Sequence, residues 1–347
     1  MNLVDAYAAM KPKEPLRHFQ FELRDLTATD VQIEVFYCGI CHSDIHQVRD
    51  EWSPGIFPMV PGHEITGKVT KVGSAVNKFK VGDTVGVGCM INSCKDCSSC
   101  SENLEQYCEK GATLTYNDKF RDTGLPIYGG YAKHVVVNED FVLRIPSNLP
   151  LDKAAPLLCA GITTYSPLSN WKVTKGNRVG VIGMGGLGHM AVKIAVAMGA
   201  DVFVISHSEN KKEDAKKFGA KGYINSTISE QMQKEMNTFD FIVNTVSANL
   251  DLTNFLFLLK RDGTMVQVGA PDKPNTLNMF SMIIKRRRLA GSLIGGIKET
   301  QEMLDFCGKH NITAEVEVIS AEKINEAYER VVKSDVKYRF VIDLKSF

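Results

Sequence analysis

Helix-period patterning is nearly absent from the first 150 residues of this 347-residue chain, which leaves strands and turns to build that half. No run of eighteen apolar residues occurs anywhere, so no segment is expected to span a membrane. The N-terminal MNLVDAYAAMKPKEP lacks the basic-then-apolar order of a secretory leader. Excess charge is missing too. With 41 basic against 40 acidic residues the net charge is +1, which argues against broad attraction to nucleic acid or anionic lipid. These absences describe a cytoplasmic protein with neither a nucleic-acid nor a membrane partner. Its length exceeds what one small core needs and fits two domains.

Cysteine, by contrast, is plentiful, with nine residues at 38, 41, 89, 94, 97, 100, 108, 159 and 307. In a cytosolic chain these read as metal or catalytic thiols before disulfides. Cys94, Cys97, Cys100 and Cys108 crowd into one short loop. Four thiolates at that spacing suit a closed, tetrahedral, structural zinc site. A second set is incomplete locally. Cys41 and His63 supply one thiolate and one imidazole, and Cys159 is the best candidate for a third ligand. A Cys2His set leaves one coordination position open, as a catalytic zinc requires; alcohol dehydrogenase is the standard example. Asp44 is placed to accept the other imidazole N–H of His63, and Glu64 to approach or tune the metal.

The runs VQIEVFY (31–37), ITGKVTKV (65–72), 83–87 and 132–137 alternate or are β-branched, and glycines punctuate them. After Pro150 the pattern changes to strand, turn, helix, strand. The strand 179–182 leads into Gly183-Met184-Gly185-Gly186-Leu187-Gly188, which opens a helix with apolar residues at helical spacing. In that context G-x-G-x-x-G reads as a dinucleotide-binding turn, with the pyrophosphate at the helix N-terminus. Further strands at 202–205, 223–224, 239–246, 264–268 and 289–294 predict a doubly wound parallel sheet of about six strands. The tail (helix 298–307, strand 314–319, helix 324–332, strand 338–343) is too short for a domain and is expected to pack back on the first. The fold class is therefore α/β, with a β-rich zinc domain formed by 1–150 and 290–347 and a Rossmann domain formed by 151–289.

NAD sites carry an acid at the end of the second strand to bind the ribose hydroxyls. Here that strand ends in Ser206-His207-Ser208, with Lys211 close behind. Hydroxyls, an imidazole and an ammonium suit a 2′-phosphate, so the expected cofactor is NADP(H). The basic run 285–288 reads as a helix C-terminus that complements the helix dipole rather than a nucleic-acid patch.

The segments GICHSDIHQ (39–47), PGHEITG (61–67), KFKVGDTVGVGCMINSCKDCSSC (78–100), GGYAKHVVV (129–137), PLLCAGITTYSPL (156–168), GMGGLGH (183–189) and AGSLIGGIKETQEML (290–304) together resemble the zinc-dependent medium-chain dehydrogenase/reductase family. The resemblance is greatest to its cinnamyl alcohol dehydrogenase-like branch. It implies a GroES-like catalytic domain, a Rossmann domain, two zinc ions per chain, a cleft between the domains, and a homodimer through the Rossmann sheets. It further implies Cys159 as the third zinc ligand and Glu64 as a transient one. Ser43 stands where many relatives carry Thr, as the hydroxyl of a proton relay whose outer end is His46. Thr163 and Val268 match positions lining the nicotinamide, and Ser292 and Ile294 flank the cofactor and pocket.

The implied reaction passes hydride between NADP(H) and an aldehyde or alcohol whose oxygen the zinc polarises. The proton travels by way of Ser43, the cofactor ribose and His46. A pocket of Trp52, Met59, Met90, Leu293 and Ile294 would suit aromatic or medium aliphatic aldehydes and primary alcohols. Two other readings compete. A polyol dehydrogenase of the same superfamily would be expected to show a more polar pocket and often an acid after the second strand. A non-catalytic zinc module would not need the Ser43/His46 pair.

Overall fold

The computed structural model describes residues 3–271 and 273–347. They form two compact units, one comprising the chain up to Ile162 together with Gly295–Phe347, the other Thr163–Ile294. The first unit is organised around the strand Asp30–Gly39, whose run of branched and aromatic side chains favours a pleated, half-buried surface. It pairs antiparallel with Ile65–Val72, His134–Asn138 and Arg339–Asp343. The full sheet has seven strands and runs from Val316–Ser320 at one edge to Leu143–Arg144 at the other. Ile33, Val35, Ile65, Val85, Val87 and Phe340 are buried on it. Each such side chain contributes about 1.5–3 kcal/mol relative to exposure.

The tail does return to this sheet, with Val341 opposite Gly39 and Ile342 opposite Cys38. Residues 151–162, which sequence patterning assigns to the Rossmann domain, belong to the first unit instead. Leu157 and Leu158 are buried there, the Thr66 hydroxyl donates to the Leu151 carbonyl at 3.0 Å, and Ala314 N–H donates to Lys153 O at 3.2 Å. This segment forms the short helical turns Leu151–Ala154 and Ala155–Leu158 and packs through two leucines. Its origin therefore left no periodic trace in the sequence. Likewise, residues 290–294 fall in the second unit rather than the first.

The second unit is a six-stranded parallel sheet in the spatial order Gly222–Asn225, Asp201–Ser206, Arg178–Ile182, Phe239–Asn244, Leu259–Gln267, Arg288–Gly291. Strand order reverses beside Arg178–Ile182, creating the switch point at which such sheets bind dinucleotides. The helix Gly186–Ala197 follows it directly. Part of the basic run 285–288 is internal. Arg287 is buried and donates to the carbonyls of Leu259, Ser281 and Phe257 and to Asn237 Oδ1. It thus satisfies carbonyls at the ends of the short helices Thr253–Phe257 and Phe280–Ile283. Only its neighbours remain surface charges, Arg286 pairing with Asp262.

Candidate metal centres and cofactor turn

Cys41 caps the helix His42–Val48, and Asp44, at the helix's third position, accepts the Cys41 backbone N–H at 2.8 Å. A capping box therefore fixes the first ligand and its acidic neighbour together. His63 and Glu64 follow Gly62, whose φ of +106° suits glycine; a Cβ there would meet the Tyr131 ring and Cys38 Sγ. Cys159 comes from the buried 151–162 segment.

One atom each from Cys41, His63, Glu64 and Cys159 lies within 4.8 Å of all the others, and all four residues are buried. Cys41 Sγ and Cys159 Sγ are 3.8 Å apart. A tetrahedral ion with Zn–S bonds of about 2.3 Å needs sulfurs about 3.8 Å apart, so the donors fit zinc. A buried oxygen supports the same conclusion: one carboxylate oxygen of Glu64 pairs with Arg339, while Oε2 makes no hydrogen bond. A buried carboxylate oxygen without a donor is costly unless a cation takes it.

His63 Nδ1 lies 3.1 Å from Asp44 Oδ1, which leaves Nε2 for the metal. Burial works against a charged His63, but the charge of Asp44, the thiol of Cys89 and the Asp44 hydrogen bond raise its pKa well above the usual value. The hydrogen bond from Cys159 is the largest influence on the Cys41 thiol and pulls its pKa well down despite burial. Arg339 and His63 add to this. Cys159 is correspondingly pushed up by its contacts with Cys41 and Cys89. One thiol of the pair thus already favours the thiolate that a metal binds.

Ser43 Oγ is 3.5 Å from Cys41 Sγ. His46 Nδ1 meets Glu51 Oε2 at 2.5 Å, and its ring stacks on Trp52 at 4.7 Å and on His42 at 4.9 Å. Met59 and Met90 are buried in the first unit, while Trp52 and Leu293 are exposed. Sequence reasoning did not assign roles to Glu51, Arg339, Tyr131 or Cys89. Glu51 sits only five residues beyond His46 and was within reach of inspection. Arg339 reaches Glu64 across 275 positions and left no local signal.

The 94–108 loop builds its site locally. One sulfur from each of Cys94, Cys97, Cys100 and Cys108 lies within 4.8 Å of the rest, and Cys94 and Cys100 are 3.8 Å apart. Backbone N–H groups point at the sulfurs, from Cys94 to Cys108 and from Glu109 to Cys97, both at 3.4 Å. The N–H groups of Glu109 and Cys100 draw the Cys97 thiol down to about 6, whereas Asp96 pushes Cys94 up to about 12. A bound cation reverses the latter, because a coordinated thiol is deprotonated. All nine cysteines are free, so no disulfide competes for these thiols.

In the second unit Gly183 has φ +82°, and a Cβ on Gly188 would strike the Gly183 carbonyl. A Cβ on Gly185 would meet nothing, leaving its backbone open to a pyrophosphate. Leu187 and Gly186 lie in the first turn of the helix Gly186–Ala197. The strand Asp201–Ser206 ends at the predicted phosphate-binding set, and the Tyr223 hydroxyl donates to Ser208 O at 2.6 Å, fixing that turn. Val268 N–H donates to Asn244 O at 3.0 Å, and Ser292 N–H to Gln267 O at 3.3 Å, which holds both at the C-terminal ends of the strands. Thr163 is buried and Ile294 is half-buried. Ile294 takes a left-handed φ of +34°.

A β-rich unit with one closed and one open metal site, in a chain that also carries a doubly wound dinucleotide fold, defines a zinc-binding dehydrogenase. Residues 27–147 match the alcohol dehydrogenase GroES-like domain and residues 186–309 the zinc-binding dehydrogenase domain. Across its whole length the chain is 54% identical to NADP-dependent alcohol dehydrogenase C of Mycobacterium bovis, all of which it covers. It is 53% identical to the aldehyde reductase YahK of Escherichia coli over 98% of this chain and 97% of that protein. Among solved structures, the cinnamyl alcohol dehydrogenase of Helicobacter pylori complexed with NADP(H) superposes with a TM-score of 0.93 at 46% identity, covering 99% of each chain. The chain belongs to the zinc-dependent medium-chain alcohol dehydrogenase family, in its cinnamyl alcohol dehydrogenase-like branch.

Proposed function

We propose that this protein is an NADP(H)-dependent zinc alcohol dehydrogenase that interconverts aldehydes and primary alcohols. The observation that carries this reading is the buried Cys41/His63/Cys159 set, beside a Glu64 oxygen that no donor satisfies. The names of the M. bovis and E. coli relatives support the cofactor and the reaction. When bound, zinc supplies Lewis-acid polarisation of a carbonyl oxygen and the nicotinamide supplies hydride.

The chain's own residues do the rest. Cys41, His63 and Cys159 hold the metal, Asp44 orients the imidazole, and Arg339 pairs with Glu64, which lies within reach of it. Ser43 Oγ would be the first proton donor to the substrate oxygen, with the relay continuing through the cofactor ribose to His46 and solvent, and Glu51 holds the His46 imidazole by a 2.5 Å hydrogen bond. Cys94, Cys97, Cys100 and Cys108 hold a structural zinc. Gly183, Gly185 and Gly188 admit the pyrophosphate, and Ser206, His207, Ser208 and Lys211 bind the 2′-phosphate. Aromatic and medium aliphatic aldehydes are the proposed substrates, in keeping with the apolar character of Trp52, Met59, Met90, Leu293 and Ile294.

The active form is a homodimer joined through the second unit. The strand Arg288–Gly291 is an unpaired sheet edge among the described residues, and Met279, Phe280, Ile283 and Ile284 beside it are more than half exposed. Nine free thiols suit a reducing compartment, and we place the enzyme in the cytoplasm. The test is turnover of aromatic, aliphatic and polyol substrates with NADPH and NADH. Preference for benzylic or cinnamyl aldehydes with NADPH supports the reading; preference for polyols with NADH overturns it.

A further inference from the structure

Asp44 is fully buried and accepts four hydrogen bonds in two pairs. Oδ1 takes His63 Nδ1 at 3.1 Å and the Gly62 N–H at 3.2 Å. Oδ2 takes the Cys41 N–H at 2.8 Å and the Tyr131 hydroxyl at 3.1 Å. Two of these donors are backbone groups of the ligand-bearing turns themselves, and they move with the ligands. Tyr131 is the anchor from outside. Its ring is fully buried, its own N–H donates to Pro61 O at 2.9 Å, and its carbonyl accepts Tyr7 N–H at 2.9 Å. Behind it the Tyr328 hydroxyl donates to the Tyr131 hydroxyl at 3.4 Å. Tyr328 lies on the helix Ile324–Val332 of the tail, so a chain of hydrogen bonds that meets at the Asp44 carboxylate links that helix to a zinc-binding imidazole.

We infer that Tyr131, backed by Tyr328, is a positioning residue for the catalytic metal. It locks the plane of the Asp44 carboxylate, and through it the tautomer and direction of His63. A carboxylate held only by the two ligand turns can rotate with them, and the imidazole then loses its fixed aim. Partners of this kind change metal affinity by about 10–100-fold when removed. The hydroxyl remains a donor at working pH, because burial and the charge of Asp44 raise the Tyr131 pKa well above its ordinary value. The inference rests on the reading of Cys41, His63 and Cys159 as a zinc site.

The test is zinc release from the full-length protein to a chromogenic chelator, counted per chain, in wild type, Tyr131→Phe, Tyr328→Phe, Asp44→Asn and the Tyr131→Phe/Asp44→Asn double variant. The Co2+ spectrum of each is recorded after exchange. Phenylalanine keeps the buried ring, and Tyr328→Phe gives an independent reading should Tyr131→Phe fold poorly. In Tyr131→Phe one zinc of two should leave about 10–100-fold faster and the other at the wild-type rate, with a shifted cobalt d–d band. Tyr328→Phe should move both readouts in the same direction by less, and the double variant should release no faster than Asp44→Asn alone.

A two-zinc wild type whose release and cobalt spectrum are unchanged in Tyr131→Phe overturns the inference alone. So does equal acceleration of both zincs, or full additivity with Asp44→Asn. A wild type that holds a single zinc overturns the site reading and this inference with it.

Discussion

The two metal sites in the first unit are built in opposite ways. The 94–108 site takes all its donors from one loop and orients its sulfurs with backbone N–H groups of that loop. The Cys41/His63/Cys159 site takes donors from three segments up to 118 positions apart; of its supporting residues, Tyr131 lies 87 positions from Asp44, while Tyr328 and Arg339 come from further still. The first is a local knot that stabilises a lobe with little core. The second is a product of the tertiary fold and depends on the sheet, the 151–162 segment and the returning tail. A closed site does no chemistry. An open, buried site surrounded by fixed dipoles does, because its donors need no reorganisation as charge develops.

This contrast can be broken at several points. The largest effect should come from Cys100→Ser. Structural zinc binding is worth about 10–16 kcal/mol in small zinc peptides, so losing a ligand should melt the 94–108 lobe. Limited proteolysis should then cut within this loop while the second unit stays intact. Arg339→Met leaves Glu64 buried and uncompensated, which should lower unfolding free energy by about 3–5 kcal/mol in denaturant titration. An unchanged midpoint would mean that Glu64 has another partner. Ser43→Ala should reduce aldehyde turnover by about 10²–10⁴-fold with zinc content unchanged, and full activity across neutral pH would remove it from the proton path.

His207→Asp places an acid where the 2′-phosphate is proposed to sit. It should shift the NADPH-to-NADH ratio of kcat/KM toward NADH by about tenfold or more, since each tenfold is about 1.4 kcal/mol. No shift would dismiss this turn as the phosphate site. The smallest effect is expected for Glu51→Gln, a loss of less than about tenfold, because the amide oxygen can still accept the hydrogen bond that holds His46. His46→Ala should be slower than Glu51→Gln and partly rescued by imidazole buffer.

How far each site was legible in the sequence follows the same division. Cys94, Cys97, Cys100 and Cys108 announce themselves by spacing, because their geometry is local. The Rossmann strands and the Gly183–Gly188 turn were legible for a similar reason. Hydrophobic runs of the right length and a glycine motif state the βα unit within about thirty residues. Cys159 read only as the best candidate to join Cys41 and His63 until the family resemblance matched it, since nothing in spacing links position 41 to position 159. Arg339 and Tyr328 were invisible because strand pairing between Arg339–Asp343 and Asp30–Gly39, and the packing of the last helix, bring them in. The 151–162 segment was misassigned because its two buried leucines carry no periodicity that distinguishes one domain from the next. The run 285–288 read only as a helix C-terminus, and the burial of Arg287 went unseen because the carbonyls it binds belong to helix ends that only the folded chain defines.

The central claim is that the open site alone runs the chemistry while the knot alone holds the lobe. Zinc content and NADPH-dependent aldehyde reduction, measured on the same sample of Cys159→Ala, test it most directly. The account predicts one zinc per chain instead of two, a thermal midpoint close to wild type, and reduction lost by at least about three orders of magnitude, as expected when Lewis-acid stabilisation worth several kcal/mol is removed. Retained reduction in a chain holding only the 94–108 zinc would contradict it.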